Sequence, residues 1–286
     1  MVRRLRCAWL AGMLLACSLV LPAQAQFQAI PLDSLIVEDV KPRRARVFQW
    51  LYQDIGALAR RAATPRVAAY AAGAMVFTFS AAWLDDDGVE VARDVNTGTF
   101  EQFLDVVNFA GGPGVNIPVV TAAGVSLLTR NERLQDAAWT SLQTLIYAGV
   151  LGYTLKGVIG RGRPEWTDNT YAFFSRPSLL PFLPDGNSSF PGGHAIASYG
   201  IITPWVMYYP SAFTYALYVI PTGTSIARLS KRKHWPTDVV VGAAIGITMG
   251  RWLTRRHQAG GYVPSSGLEL SVGEGGALFS VRYRIP

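Results

Sequence analysis

Residues 227–238, ARLSKRKHWPTD, set an arginine, a histidine and an aspartate in one short stretch. Arg228 is a permanent cation. His234 has a ring that serves as base or nucleophile near neutral pH. Asp238 is a carboxylate of the kind that holds an imidazole in one tautomer. Two other stretches carry matching chemistry. KGVIGRGRP (156–164) contributes Lys156 and Arg163, and SFPGGHA (189–195) contributes Gly192, Gly193 and His194. A Gly-Gly pair at a helix start leaves backbone amides free to point at an anion. Three cations, an amide nest, two imidazoles and one carboxylate suit a phosphoryl group, whose charge is spread over three oxygens. Each residue alone also has a structural reading. Lys156 could reach from a helix end to a membrane surface. His194 could be an ordinary helix-start residue, and His234 with Asp238 a buried pair. Lys231, Arg232 and Lys233 read as a solvated or lipid-facing basic face.

The three motifs together resemble the type 2 phosphatidic acid phosphatase superfamily, which also holds bacterial acid phosphatases and vanadium haloperoxidases. The resemblance covers about 137–253, and the helix order extends it back to about 67, for a domain at 67–256. It implies an all-α fold with a six-helix core bundle. It implies that His234 is the nucleophile, forming a phosphohistidine, and that Asp238 orients it. His194 would protonate the leaving oxygen and then activate water. Lys156, Arg163 and Arg228 would hold the phosphate with the Gly193 and Gly192 amides. Neither a metal nor another cofactor is implied. Two positions depart from the family pattern, which usually has serine at 192 and 227 where this chain has Gly192 and Ala227. Losing one hydroxyl contact to a charged group costs about 1.5–3 kcal/mol, so a weakened or re-tuned site is expected. The resemblance implies a phosphomonoesterase or pyrophosphatase acting on lipid phosphates: phosphatidic acid, phosphatidylglycerol phosphate, undecaprenyl pyrophosphate or lipid A. Two other readings stand beside it: a vanadate-dependent haloperoxidase, and a non-catalytic envelope protein that binds anionic lipid.

Composition narrows the setting. Of 286 residues, 50% are hydrophobic and only 16% charged, which leans toward a membrane protein or a deeply buried helical one. The formal charge is +7, but Arg3, Arg4 and Arg6 precede an apolar run and an AQA sequence. Residues 1–25 therefore read as a secretory signal. Without those three arginines, the 26 basic side chains fall to 23 against 19 acidic ones, or +4. That is too mild for nucleic-acid binding. Cys7 and Cys17 both lie in the leader, so the remainder has no disulfide, and three histidines make a zinc site a poor fit.

Behind a basic segment (26–66), the elements that would position these motifs are apolar helices. VFQWLYQDIGALA (47–59) has an amphipathic pattern that fits either an interfacial helix on anionic lipid or a helix packed on the domain. Uncharged segments follow at 67–84, 115–129 and 137–155, then two helices within 195–227 divided at Pro210, and a last at 239–250. Gly242, Gly246 and Gly250 form a small-residue stripe on that last helix, which lets a neighbour approach closely. The stretch 85–105 reads as an acidic linker. Basic and acidic linkers alternate in a way that places 156–194 outside the cytoplasm, while a cleaved leader with six spans places it inside. A periplasmic domain lying on a membrane would resolve the conflict. Aromatics in 166–189 (Trp166, Tyr171, Phe173, Phe174, Phe182) could form an apolar mouth. Alternation in GLELSVGEGGALFSVRYRIP predicts a β-hairpin within 262–286.

Overall fold

The computed structural model describes residues 46–175 and 188–259, and the backbone of 267–273 and 276–282. The leader and residues 26–45 lie outside the described residues. The helices start and stop where local chemistry dictates. Thr64 caps the helix Pro65–Ala81 by accepting the Val67 amide, and Pro65 supplies a preset first turn. Asn131 caps Glu132–Ile159 through the Leu134 amide at 3.0 Å. That helix ends at Gly160, whose φ of 52° favours glycine. Pro236 opens the last helix with Asp238 in its first turn.

In chain order the helices are α1 Arg46–Ala62, α2 Pro65–Ala81, α3 Asp85–Val95, α4 Gly98–Ala110, α5 Pro113–Ser126 and α6 Glu132–Ile159. Then follow α7 Gly193–Tyr208, a short α8 Ala212–Ala216, α9 Val219–Ser230 and α10 Pro236–Ala259. A 3₁₀ turn, Ala82–Leu84, joins α2 to α3, so 65–95 runs as one unit of 31 residues. α4 and α5 form a second unit bent by 44°. With α6, α7, α9 and α10 these make the expected six-membered all-α core. The break between α7 and α9 falls at Pro210, as expected. The stretch read as an acidic linker is instead helical: Asp85, Asp86 and Asp87 form the first turn of α3. Acidic side chains there complement the positive end of the helix dipole.

The core is built around α7 and α10. A β-carbon at 246 would lie 2.4 Å from the Ile196 carbonyl oxygen, and one at 242 would lie 2.5 Å from that of Gly192. The glycine stripe is therefore the contact surface for α7. Ala195, Tyr199, Val239, Ala243 and Ile247 fill the space beside it. Polar side chains point inward and tie helices together. Ser141 donates to the Ile201 carbonyl at 2.7 Å, and Thr224 to that of Val107 at 2.6 Å. Apolar side chains point outward: Tyr70 is 71% exposed and Ile117 74%. Polar contacts inside with bare hydrocarbon outside suit lipid surroundings. Two helical units, 65–95 and 132–159, are long and apolar enough to cross a membrane, or three if the bent α4–α5 pair is counted.

α1 is packed on the core. At the end of the bundle where α6 begins, Asp54 of α1 accepts hydrogen bonds from Gln143 (2.7 Å) and Arg256, and pairs with His257 Nε2 at 2.8 Å. His257 Nδ1 meets Thr140 Oγ1 at 2.8 Å, and Trp50 stacks on its ring at 3.8 Å.

Candidate active site

All eight residues singled out from the sequence lie at the other end of the bundle. Lys156 stands on the last turn of α6. Arg163 is in the loop that follows. Gly192 caps α7, with Gly193 and His194 as its first residues. Arg228 ends α9, His234 occupies the next turn, and Asp238 begins α10. Two loop segments are tied together to make the floor. Gly162 and Ser188 form an isolated antiparallel bridge, Ser189 donates its amide to the Arg161 carbonyl at 2.8 Å, and the Trp235 indole donates to the Gly162 carbonyl at 2.8 Å.

The Ser189 carbonyl organises the centre. It accepts a hydrogen bond from Lys156 Nζ at 3.2 Å and lies 2.8 Å from His234 Nδ1. A carbonyl only accepts, so Nδ1 carries the proton and the lone pair of His234 sits on Nε2. This is the tautomer a nitrogen nucleophile needs. Asp238, expected to orient His234, makes no hydrogen bond to its ring. Asp238 Oδ2 is 3.9 Å from Nδ1, beyond hydrogen-bond distance. That oxygen instead accepts the Trp235 amide at 2.8 Å, the reciprocal arm of a capping box at the start of α10. Asp238 thus fixes the backbone beside His234, while a backbone carbonyl fixes the ring.

Gly192 also departs from expectation. Its amide donates to the Asp238 carbonyl at 2.8 Å, so it is not free for an anion. The amides of Gly193, His194 and Ala195 fall in the first turn of α7, where no intrahelical acceptor exists. Arg163 and Arg228 each have a buried Nε with no hydrogen-bond partner among the described residues. Arg163 is steadied by Glu165 at 3.2 Å, and Glu165 also accepts from Lys233. Arg232 donates to Asp168 at 2.8 Å, and Lys231 to Asp105 at 2.5 Å. Arg232 and Lys233, read with Lys231 as a solvated or lipid-facing face, therefore pin the loop that carries Arg163, while Lys231 reaches α4.

The electrostatics follow from burial and from three cations gathered about the two rings. Burial, then Arg228, Lys156 and Arg163, push the His194 ring down to about 4. Burial, then Lys156 and Arg228, hold His234 well below the usual imidazole range. Both rings are neutral at pH 7, and an arriving phosphate dianion would favour their protonation.

Sequence reasoning missed three contributors. Arg161 is fully buried, and its guanidinium donates to Asp238 Oδ1 and Asp85 Oδ2, both at 2.6 Å, and to Thr237 Oγ1 at 2.8 Å. Phe173, expected at an apolar mouth, lies 4.4 Å from that guanidinium instead. Trp166, Tyr171 and Phe174 are exposed at the surface, and Phe182 is outside the described residues. Asp85 anchors the clamp from α3, also accepting the Thr237 amide at 3.0 Å. Gly112, in the GGPG break, is the third. A β-carbon there would come 2.9 Å from His194 Cδ2 and 3.0 Å from Nε2, so the ring rests on this glycine.

One end of this helical bundle gathers three basic side chains about two histidines, and known proteins are similar to the part of the chain that carries them. Residues 137–261 match the model of the PAP2 superfamily, and this stretch holds all eight residues above. The match ends before the paired strands β1 (Gly267–Gly273) and β2 (Gly276–Arg282), so the expected hairpin has no support from it. Among curated relatives, a lipid A 1-phosphatase of Porphyromonas gingivalis is 35% identical over 171 residues, covering 58% of this chain and 33% of the relative. A lipid A 1-phosphatase of Rhizobium johnstonii is 30% identical over 106 residues, covering 36% and 41%. The chain thus spans about a third to a half of the length of the curated relatives it matches. The crystal structure of a transmembrane PAP2-type phosphatidylglycerolphosphate phosphatase from Bacillus subtilis aligns with a TM-score of 0.46 at 18% identity, covering 76% of this chain and 96% of that one.

Proposed function

We propose that this chain is a phosphatase of the bacterial cell envelope, held in the membrane, that hydrolyses the phosphate of a lipid with its site facing the periplasm. The carrying observation is that Lys156, Arg163 and Arg228 are gathered about two neutral imidazoles, with the Nε of both arginines buried and without a hydrogen-bond partner among the described residues. A buried donor without an acceptor costs about 1–3 kcal/mol, and a phosphoryl oxygen would remove that cost. The names of the relatives favour the phosphate of lipid A as substrate.

The reaction follows from the ring chemistry. His234 Nε2 attacks phosphorus, forming an N–P bond as the bond to the leaving oxygen breaks. His194, protonated once the dianion is bound, gives its proton to that oxygen. A water then attacks phosphorus while His194 takes its proton. The N–P bond breaks, releasing inorganic phosphate and neutral His234. Lys156, Arg163, Arg228 and the Gly193 amide carry the equatorial oxygens, and no step requires a metal.

Phosphate release from lipid A, phosphatidic acid and phosphatidylglycerol phosphate in detergent with EDTA tests this reading. The expected result is release by the wild type, strongest on lipid A, and none by His234→Ala. No release on any lipid, with vanadate and phosphate still bound, would favour a non-catalytic anion-binding protein. Release abolished by EDTA and restored by a divalent cation would overturn metal independence.

A further inference from the structure

α1 divides its surface into three strips, and only one faces the core. At 3.6 residues per turn, Val47, Leu51, Asp54 and Leu58 share the inward side. They meet α6 and α10 through the Tyr147 hydroxyl on the Leu51 carbonyl, the Asp54 cluster, and the packing of Leu58 beside Tyr147 and Leu253. A second strip, Gln49, Gln53 and Arg60, is polar and exposed. The third is Phe48, Tyr52, Ile55 and Ala59. Its three large apolar side chains are 51%, 63% and 59% exposed. A helix that serves only to pack would not keep a second apolar strip on its outer side.

Two observations say what covers this strip. The first is continuity. Phe48 packs edge-on against Trp139 of α6 at 5.1 Å. Trp139 starts the outward row Trp139, Ile146, Val150, Tyr153, spaced at 7, 4 and 3 residues on one side of a candidate span, and the last three are exposed. The strip on α1 therefore continues the lipid-facing row of α6 around a corner. Two residues after α1, the other candidate span begins at Pro65. The second observation is charge. Arg60, Arg61, Arg66 and Arg255 are exposed at this same end. Along α6, the 16 residues from Thr140 to Lys156 rise about 24 Å, most of the thickness of a hydrocarbon core. α1 thus lies at the membrane surface opposite the phosphate site.

We infer that α1 is an interfacial helix. Its Phe48–Tyr52–Ile55 strip is buried among the lipids of the leaflet opposite the phosphate site, and the arginines beside it engage anionic headgroups. Asp54, paired with His257, Arg256 and Gln143, holds the helix at the angle that presents this strip.

Nitroxide labels on single cysteines at 52, 55, 49 and 53 test this in the full chain, with Cys7→Ser and Cys17→Ser as background. The protein is reconstituted in vesicles of phosphatidylglycerol and phosphatidylcholine, and collisions with oxygen and with an aqueous nickel chelate are compared. All four positions are on the outside, and unchanged elution in detergent verifies the fold. The oxygen-to-nickel ratio should be at least about three-fold higher at 52 and 55 than at 49 and 53. Equal ratios at all four would mean that water covers the strip, and low collision with both reagents at 52 and 55 would mean that protein does. Either outcome overturns the inference. Replacing phosphatidylglycerol with phosphatidylcholine should lower the ratio at 52, and no change would overturn the headgroup part.

Discussion

The two ends of the bundle both bury a histidine among charged groups, but they treat it in opposite ways. At the α1 end, His257 has both ring nitrogens engaged, a carboxylate beside it and an indole stacked on it. Asp54 there answers His257, Arg256 and Gln143 together. At the candidate active-site end, His234 has one nitrogen fixed by a carbonyl, three cations gather nearby, and the Nε atoms of Arg161, Arg163 and Arg228 have no partner among the described residues. A closed network rigidifies, whereas one missing an anion is built to receive it. Burial of a histidine does not by itself separate a clasp from a site. The balance of donors and acceptors around it does.

The sharpest way to break this contrast is to remove one histidine from each end. His234→Ala should lower phosphate release at least about a thousand-fold, because it removes the proposed nucleophile, and leave the thermal midpoint in detergent little changed. His257→Ala should do the reverse. It strips Asp54 of a partner and Trp50 of its stack, costing about 2–4 kcal/mol, while turnover per folded molecule stays at the wild-type level. If His257→Ala abolished turnover in protein that still folds, the two ends would not be functionally separate.

Arg161 lies between the two kinds. It is next to the candidate site, yet its two terminal nitrogens are engaged by Asp85, Asp238 and Thr237, and only its Nε has no partner among the described residues. Arg161→Met would leave two buried carboxylates without their cation, which costs about 3–5 kcal/mol. The thermal midpoint should fall accordingly, and Arg161→Lys should recover part of it. A midpoint unchanged in Arg161→Met would mean that the clamp contributes nothing net.

The ends should also differ in how protons act on them. His194 sits at about 4 in the folded chain against an ordinary 6.5. Between those values the unfolded chain binds more protons, so stability rises with pH there. It is lost as pH falls from 6.5 and is fully lost below about 4. The loss is on the order of 3 kcal/mol. Thermal midpoints across this window should show that slope, and His194→Gln should flatten it. Saturating inorganic phosphate should flatten it too, because the anion offsets the cations that depress the ring. A slope unchanged in both conditions would place its origin elsewhere.

The sequence disclosed the phosphate end far better than the other. Its residues sit in three short motifs, and each motif lies at a helix end or in the loop beside one, where apolar periodicity marks the boundary. The groups that went unseen are those joined across long separations or through the backbone. Arg161 and Asp85 are 76 positions apart, and Asp54 and His257 are 203 apart. Neither pair shares a local pattern. The Ser189 carbonyl, which selects the His234 tautomer, has no side-chain signature at all. Asp85 reads with the acidic residues around it as a linker, because composition there is polar and its burial comes from tertiary contacts with Arg161 and Thr237. Six helices were legible because each core member carries an uncharged run. That the second is bent at 44° was not, although the GGPG break stands at the bend.

The smallest expected effect tests why the anion end lacks the serine usual in families of this kind. Gly192 faces the start of α10. A β-carbon at this position would be 3.1 Å from the Asp238 carbonyl oxygen and 3.2 Å from Val239 Cα, and its φ of −66° is open to any residue. Both neighbours are backbone, so they yield only if α7 and α10 separate by a few tenths of an ångström. The glycine stripe at 242 and 246 holds those helices close. Gly192→Ser should therefore lower stability by about 1 kcal/mol through overpacking, while its hydroxyl adds a contact to the phosphate and improves kcat/KM about ten-fold. Opposite shifts in thermal midpoint and kcat/KM would show that this chain gave up a phosphate contact for closer helix packing. A loss in both would mean that the packing of α7 on α10 itself sets the position of His194 and the free amides. The glycine would then be part of the site's geometry, and its serine-bearing relatives would have to hold these helices farther apart.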